Sequence, residues 1–124
     1  MKCLMMKPEY VGQILDGQKD IEYRTWSTNY RGEIFIACTA TRYAKGYIAG
    51  VVTIKDCIYD DISEVYEWQL TNIKGVKPIP IKGRLRLFET GIDTYEVLHT
   101  EEDVIRAYSE AKESLLKKAG EKVV

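Results

Sequence analysis

Lys19, Glu22 and Arg24 stand within a six-residue span that opens two positions after Gly17. On a strand, Glu22 and Arg24 rise from one face roughly 7 Å apart, and Lys19 at the strand entry reaches the same side. Two cations beside one carboxylate can divide a task. Lys19 and Arg24 would hold a phosphate or a base edge, while Glu22 accepts from an exocyclic amine or acts as a general base. The same three side chains can equally form a self-satisfied ion-pair cluster on a sheet rim, worth only ~0–1 kcal/mol when exposed. Spacing alone leaves both readings open.

Aromatic and basic residues nearby extend the first reading. Unpaired bases stack on aromatic rings and on guanidinium planes, and the chain carries nine tyrosines. Trp26 shares the strand face of Glu22 and Arg24, Tyr30 precedes Arg31 in the next turn, and Tyr43 lies between Arg42 and Lys45. Farther on, Arg84 and Arg86 flank Leu85, so both project from the face opposite Leu85 and Leu87. With Lys74, Lys77 and Lys82 they make a strip able to track a phosphate backbone. The net charge of −1 hides this segregation: residues 59–73 hold four acids and no cation, residues 74–88 five cations and no acid. The candidate RNA-binding residues are therefore Lys19, Glu22, Arg24, Trp26, Tyr30, Arg31, Arg84 and Arg86. If the chain is an enzyme, Lys19 and Glu22 are its acid–base pair.

Other chemistries find little footing. Cys3, Cys38 and Cys57 are an odd number without CxxC spacing, which suits buried free thiols in a reducing cytoplasm better than disulfides or zinc. His99 is the sole imidazole and precedes a helix start, so a Ser-His or Cys-His hydrolase lacks a second candidate base. Asp60 and Asp61 read as a turn, and Glu64 with Glu67 names no metal site. Neither a phosphate-cradling glycine loop nor a nucleophile elbow is present, so no cofactor and no metal are expected. No apolar run approaches the ~20 residues that span a bilayer, and the start of the chain is too briefly apolar for a signal peptide.

The elements that would position these residues follow from pattern. "MKCLMM" reads as a strand. "PEYVGQILDG" reads as a short helix, with Pro8 in its first turn, Tyr10, Val11, Ile14 and Leu15 on its apolar stripe and Gly17 just past its end. "DIEYRTW" alternates as a strand, and "IFIACTA" is apolar on both faces, as a central strand should be. "GYIAGVVTIKDCIYD" is long, β-branched and dotted with glycine, as in a strongly bent strand. "EVYEWQL" places Tyr66, Trp68 and Leu70 on a buried face. "KPIPIKG" carries two prolines and so predicts a strap or an edge, while "GRLRLF" alternates as another strand. Thr100 and Asp103 open a C-terminal helix over about 101–119 in a capping-box pattern. Val104, Ala107, Tyr108, Ala111 and Leu115 form its stripe, Lys117 and Lys118 suit its last turn, and Gly120 suits its end. A chain of 124 residues ordered in this way predicts one α+β domain, 1–124, with a curled or closed sheet.

In this order, the motifs resemble a family. "KPEY", then "ILDGQKDIEYRTW", "NYRGEIFIACTA" and "YEWQLTNIKGVKPIPIKGRLRLFE" are similar to the ASCH domain of the PUA-like superfamily over about residues 1–89. Its G-x-K-x-x-E-x-R motif falls on Gly17, Lys19, Glu22 and Arg24. The resemblance implies a small PUA-like β-barrel of about five to six strands flanked by helices, with a cleft into which the motif residues project. It implies RNA or a nucleotide as the partner. One branch of the family resembles amidohydrolases of an acylated cytidine nucleoside and uses a threonine three residues after the motif lysine. That position here is Glu22, so the nucleophile of that branch has no counterpart. The C-terminal helix lies beyond the resemblance and would pack on the barrel, on a second copy or on another protein.

Overall fold

The computed structural model describes residues 1–117. Pro8 starts helix α1 (Pro8–Leu15), because its missing N–H is one that a first turn leaves unpaired in any case. Val11 and Ile14 are buried, and Gly17 follows at a φ of 78°, a left-handed turn that costs glycine nothing. Before it runs β1 (Lys2–Met6). After it come β2 (Ile21–Arg24), β3 (Gly32–Cys38), β4 (Tyr47–Asp60), β5 (Val65–Pro80), β6 (Leu87–Glu89) and α2 (Glu101–Leu115).

The strands form one six-stranded sheet in the order β2-β5-β4-β3-β1-β6. β1 and β3 run parallel and every other pair is antiparallel. β3 lies inside the sheet and is buried on both faces. Ile34, Ile36 and Cys38 enter a core that holds Val11, Ile14 and Trp68, whereas Phe35 and Ala37 join Cys3, Ile48, Val51 and Val76 on the other side. β4 shifts register at three places, and at its bend α1 comes very close. A Cβ on Gly50 would sit 2.8 Å from Leu15 Cδ2 and 2.9 Å from the Lys74 carbonyl oxygen, so only glycine fits there. All three cysteines are free; burial pushes the Cys3 thiol up to about 12 and raises that of Cys38 as well. Among the described residues no helix is long and apolar enough to cross a membrane.

The sheet does not close into the expected barrel. Its outer strands, β2 and β6, are only four and three residues long and do not pair. β6 covers β1 only as far as Leu4, which leaves the Met5 carbonyl without a strand partner on that side. The Arg24 side chain of β2 spans the gap instead and donates from Nη2 to the Met5 oxygen at 2.8 Å. A side chain thus stands where a barrel would have a ladder.

Two strand readings need correction. "KPIPI" is no separate strap: it continues the strand of Trp68 as the far half of β5, sixteen residues in all. Both prolines fit because β2 pairs only with Tyr66 to Gln69, so this half is an edge. Ile81 N–H donates to the Gly46 oxygen whereas Lys77 N–H donates to the Glu96 oxygen on the other side, so the ladder is irregular across the two prolines. "GRLRLF" is a strand only from Leu87 onward; Leu85 is 91% exposed and Arg86 takes a left-handed φ of 60°. An alternating pattern marks a strand only where one face has a core to bury against, and Leu85 has none.

α2 begins as its sequence predicts. Thr100 Oγ1 accepts from the Asp103 N–H at 3.0 Å, and the Asp103 carboxylate accepts from the Thr100 N–H at 3.2 Å. Ala107, Ala111 and Leu115 are buried on β5's side, while Val104 and Ile105 stay exposed. The helix ends at Leu115, and Leu116 continues as extended chain that bridges Ala44. Lys118 and Gly120, expected at the helix end, lie outside the described residues.

Candidate nucleotide-binding site

The motif residues assemble around Glu22, which is 4% exposed. Lys19 Nζ donates to Glu22 Oε1 at 2.8 Å, and Arg24 donates to Oε2 from Nε at 3.1 Å and from Nη2 at 2.9 Å. With its remaining contact to Met5, Arg24 ties the motif to β1. Lys19 also lies 4.5 Å from the ring centre of Tyr10 and 5.9 Å from that of Tyr23. These five side chains line a cavity of about 470 Å³ together with Met5, Met6, Lys7 and Thr39.

A larger cavity of about 790 Å³ opens on the other side of Arg24. Six cations line it: Arg24, Lys45, Lys82, Arg84, Arg86 and Lys117; among the described residues no acid does. They arrive from four parts of the chain. Arg24 ends β2, Lys45 lies in the turn before β4, Lys82 to Arg86 form the loop after β5, and Lys117 follows α2. The last of these is latched in place: Lys117 N–H donates to the Tyr43 oxygen at 3.0 Å, Lys117 Nζ to the Thr41 oxygen at 2.8 Å, and Lys45 N–H to the Leu115 oxygen at 2.7 Å. Arg24 is paired with Glu22, but the other five have no carboxylate partner among the described residues. Such converging cations attract phosphate, and arginines can grip it with two nitrogens at once.

The other expected residues fall elsewhere. Trp26 packs edge-on against Trp68 at 4.7 Å between ring centres, and the Trp68 indole N–H donates to the Trp26 oxygen. The Arg86 guanidinium lies 5.1 Å from the Trp26 ring centre, so Trp26 supports a cavity cation without lining the cavity. Tyr30 donates its hydroxyl to the Glu33 oxygen and lines neither cavity. Arg31 is held in its own turn by the Thr28 and Tyr30 oxygens and by Asp56 at 3.3 Å. Lys77 pairs with Glu110 of α2 at 3.1 Å, so the basic run 74–88 is no continuous strip; only its second half reaches the cavity. Lys45, Lys117, Tyr10 and Tyr23 went unnoticed as site residues in the sequence. Tyr23 lies within the motif, between Glu22 and Arg24, and its place there was legible. Tyr10, expected on the apolar stripe of α1, is instead exposed on the cavity wall, and the placement of Lys45 and Lys117 depends on tertiary contact. Among the described residues, no three His, Cys, Asp or Glu side chains come together to hold a metal ion.

An open α+β sheet with a buried, doubly paired motif glutamate beside a cationic cavity defines the class. The ASCH domain profile matches residues 4–123, which takes in α2, and the chain belongs to the ASCH domain family. Two solved structures share the fold, an ASCH protein from Zymomonas mobilis and a point mutant of it. Each has a TM-score of 0.55 and 12% identity; the first covers 94% of this chain and 96% of its own, the mutant 87% and 96%. No protein with a curated description matches the chain.

Proposed function

We propose that this ASCH domain binds RNA or a nucleotide by its phosphates, in the larger cavity. The observation that carries the reading is the convergence of six cations on one space, with no acid among the described residues that line it. RNA is also what the family resemblance implies. Lys19 and Glu22 then serve mainly to fix Arg24, which belongs to both cavities. The hydrolase reading has a closely spaced pair in Lys19 and Glu22, but both carboxylate oxygens already accept from cations, which favours holding over proton transfer.

The test is a titration of labelled single-stranded RNA across a salt series, with wild type and a Lys82→Ala/Arg84→Ala variant. Affinity in the variant should fall at least about tenfold, and the slope of log affinity against log salt should shrink by about 1.4, since each lost contact to a single strand removes ~0.7. Equal binding by the two proteins would end the proposal. Shortened RNA in the wild-type samples that is missing with Glu22→Gln would shift the reading to a hydrolase.

A further inference from the structure

We propose that the smaller cavity is a nucleobase chamber, so that one nucleotide unit lies across both cavities, with its base beside Tyr23 and its phosphate among the lysines and arginines. This rests on the phosphate reading above and adds what the ligand must carry besides phosphate. Tyr10 is 39% exposed and Tyr23 53%, and both rings stand on the wall of one 470 Å³ cavity. A lone exposed tyrosine needs no explanation, but two rings flanking one ammonium give a base a flat surface to stack on.

The floor suits a base edge. An ionised carboxylate has about four lone-pair sites and no donor. Glu22 Oε2 takes both Arg24 contacts, whereas Oε1 takes only Lys19, so Oε1 keeps room for one more donor. Lys19 Nζ gives one of its three protons to Glu22 and retains others. Acceptor and donor thus stand side by side, which complements the adjacent N–H and oxygen or nitrogen acceptor on the pairing edge of a nucleobase. That edge is available only when the base is unpaired.

Charge sorts the two ends of such a ligand. Glu22 offsets part of the charge of Lys7, Lys19 and Arg24 in the smaller chamber, while the larger one has six cations and no acid among the described residues that line it, so a phosphate is drawn more strongly to the larger. Met5, Arg24 and Thr39 line both, so the chambers share a wall and one nucleotide can reach from one to the other.

Calorimetric titration with ribose 5-phosphate and the four nucleoside 5′-monophosphates tests this, alongside an unpaired RNA 12-mer. At least one monophosphate should bind wild type about tenfold tighter than ribose 5-phosphate, the increment of a single stacked base. Tyr10→Ala/Tyr23→Ala should erase that advantage and leave ribose 5-phosphate binding intact, and Tyr23→Phe should retain it. Both tyrosines are exposed, so the variants keep the fold. Equal affinity for ribose 5-phosphate and every monophosphate, or an advantage that survives the double variant, overturns the base chamber and leaves the phosphate site standing. No binding of either ligand or of the 12-mer takes down both readings. With the base advantage present, a 12-mer far tighter than any monophosphate assigns the chamber to an RNA strand, and comparable affinities assign it to free nucleotides.

Discussion

The two cavities on either side of Arg24 hold the same kinds of residue under opposite rules. Around Glu22 both motif cations, Lys19 and Arg24, hold the carboxylate within 3.1 Å, so their charges are part of the fold. Across the larger cavity Lys45, Lys82, Arg84, Arg86 and Lys117 face one another without a carboxylate partner among the described residues. The backbone holds them together against their mutual repulsion. Matched charges point to architecture, and unmatched ones to something that arrives from outside.

The largest expected effect breaks the matched side. Glu22→Ala leaves two cations facing each other around a buried site and should cost about 3 kcal/mol, the low end for a broken buried pair because Lys19 and Arg24 reach solvent. Denaturant unfolding measures it; a loss below ~1 kcal/mol would place the cluster with ordinary surface pairs. The unmatched side should behave in the opposite way. Lys82→Ala/Arg84→Ala should leave unfolding stability within about 0.5 kcal/mol of wild type, since both side chains are exposed and lose only repulsion. A clear destabilisation would mean that these cations are structural after all.

The smallest effect concerns a third group of matched charges, at the start of α2. Backbone N–H groups of His99 and Thr100 hold the Asp103 carboxyl below its ordinary value of 3.8. A lowered folded value means that its contribution is complete above pH 3.8 and is lost as pH falls through the folded value. Amide exchange in the first turn of α2 should therefore quicken in that acid range before the sheet responds. Unchanged protection there would show that the cap contributes nothing.

How much of this could be read in advance depended on whether the deciding forces were local. Pro8 and Gly17 bracket α1, and Thr100 with Asp103 starts α2, because caps involve residues three or four apart. β3 was legible from its two apolar faces. Leu85 misled because alternation says nothing about whether a core lies opposite; Pro78 and Pro80 rightly marked an edge, and what stayed hidden was that this edge continues the strand of Trp68. At the site, the motif trio was visible as a cluster, but Arg31 turned out to be held by Asp56, and Lys77 by Glu110. Lys45 and Lys117 meet only because the chain after α2 latches onto the 41–45 turn, a contact across more than seventy positions that leaves no local trace.

Arg24 carries a consequence for how such a protein can change over generations. One guanidinium joins β2 to β1 through Met5, anchors Glu22 and forms the partition between the chambers. A lineage can adjust its ligand by exchanging Lys45, Lys82 or Arg84 one at a time, because each contributes to the cavity alone. At Arg24 any exchange alters the seam and the ligand at once, so selection cannot improve one without being charged for the other. Laboratory evolution toward a new ligand should accumulate changes around the rim of the larger cavity and leave Arg24 in place.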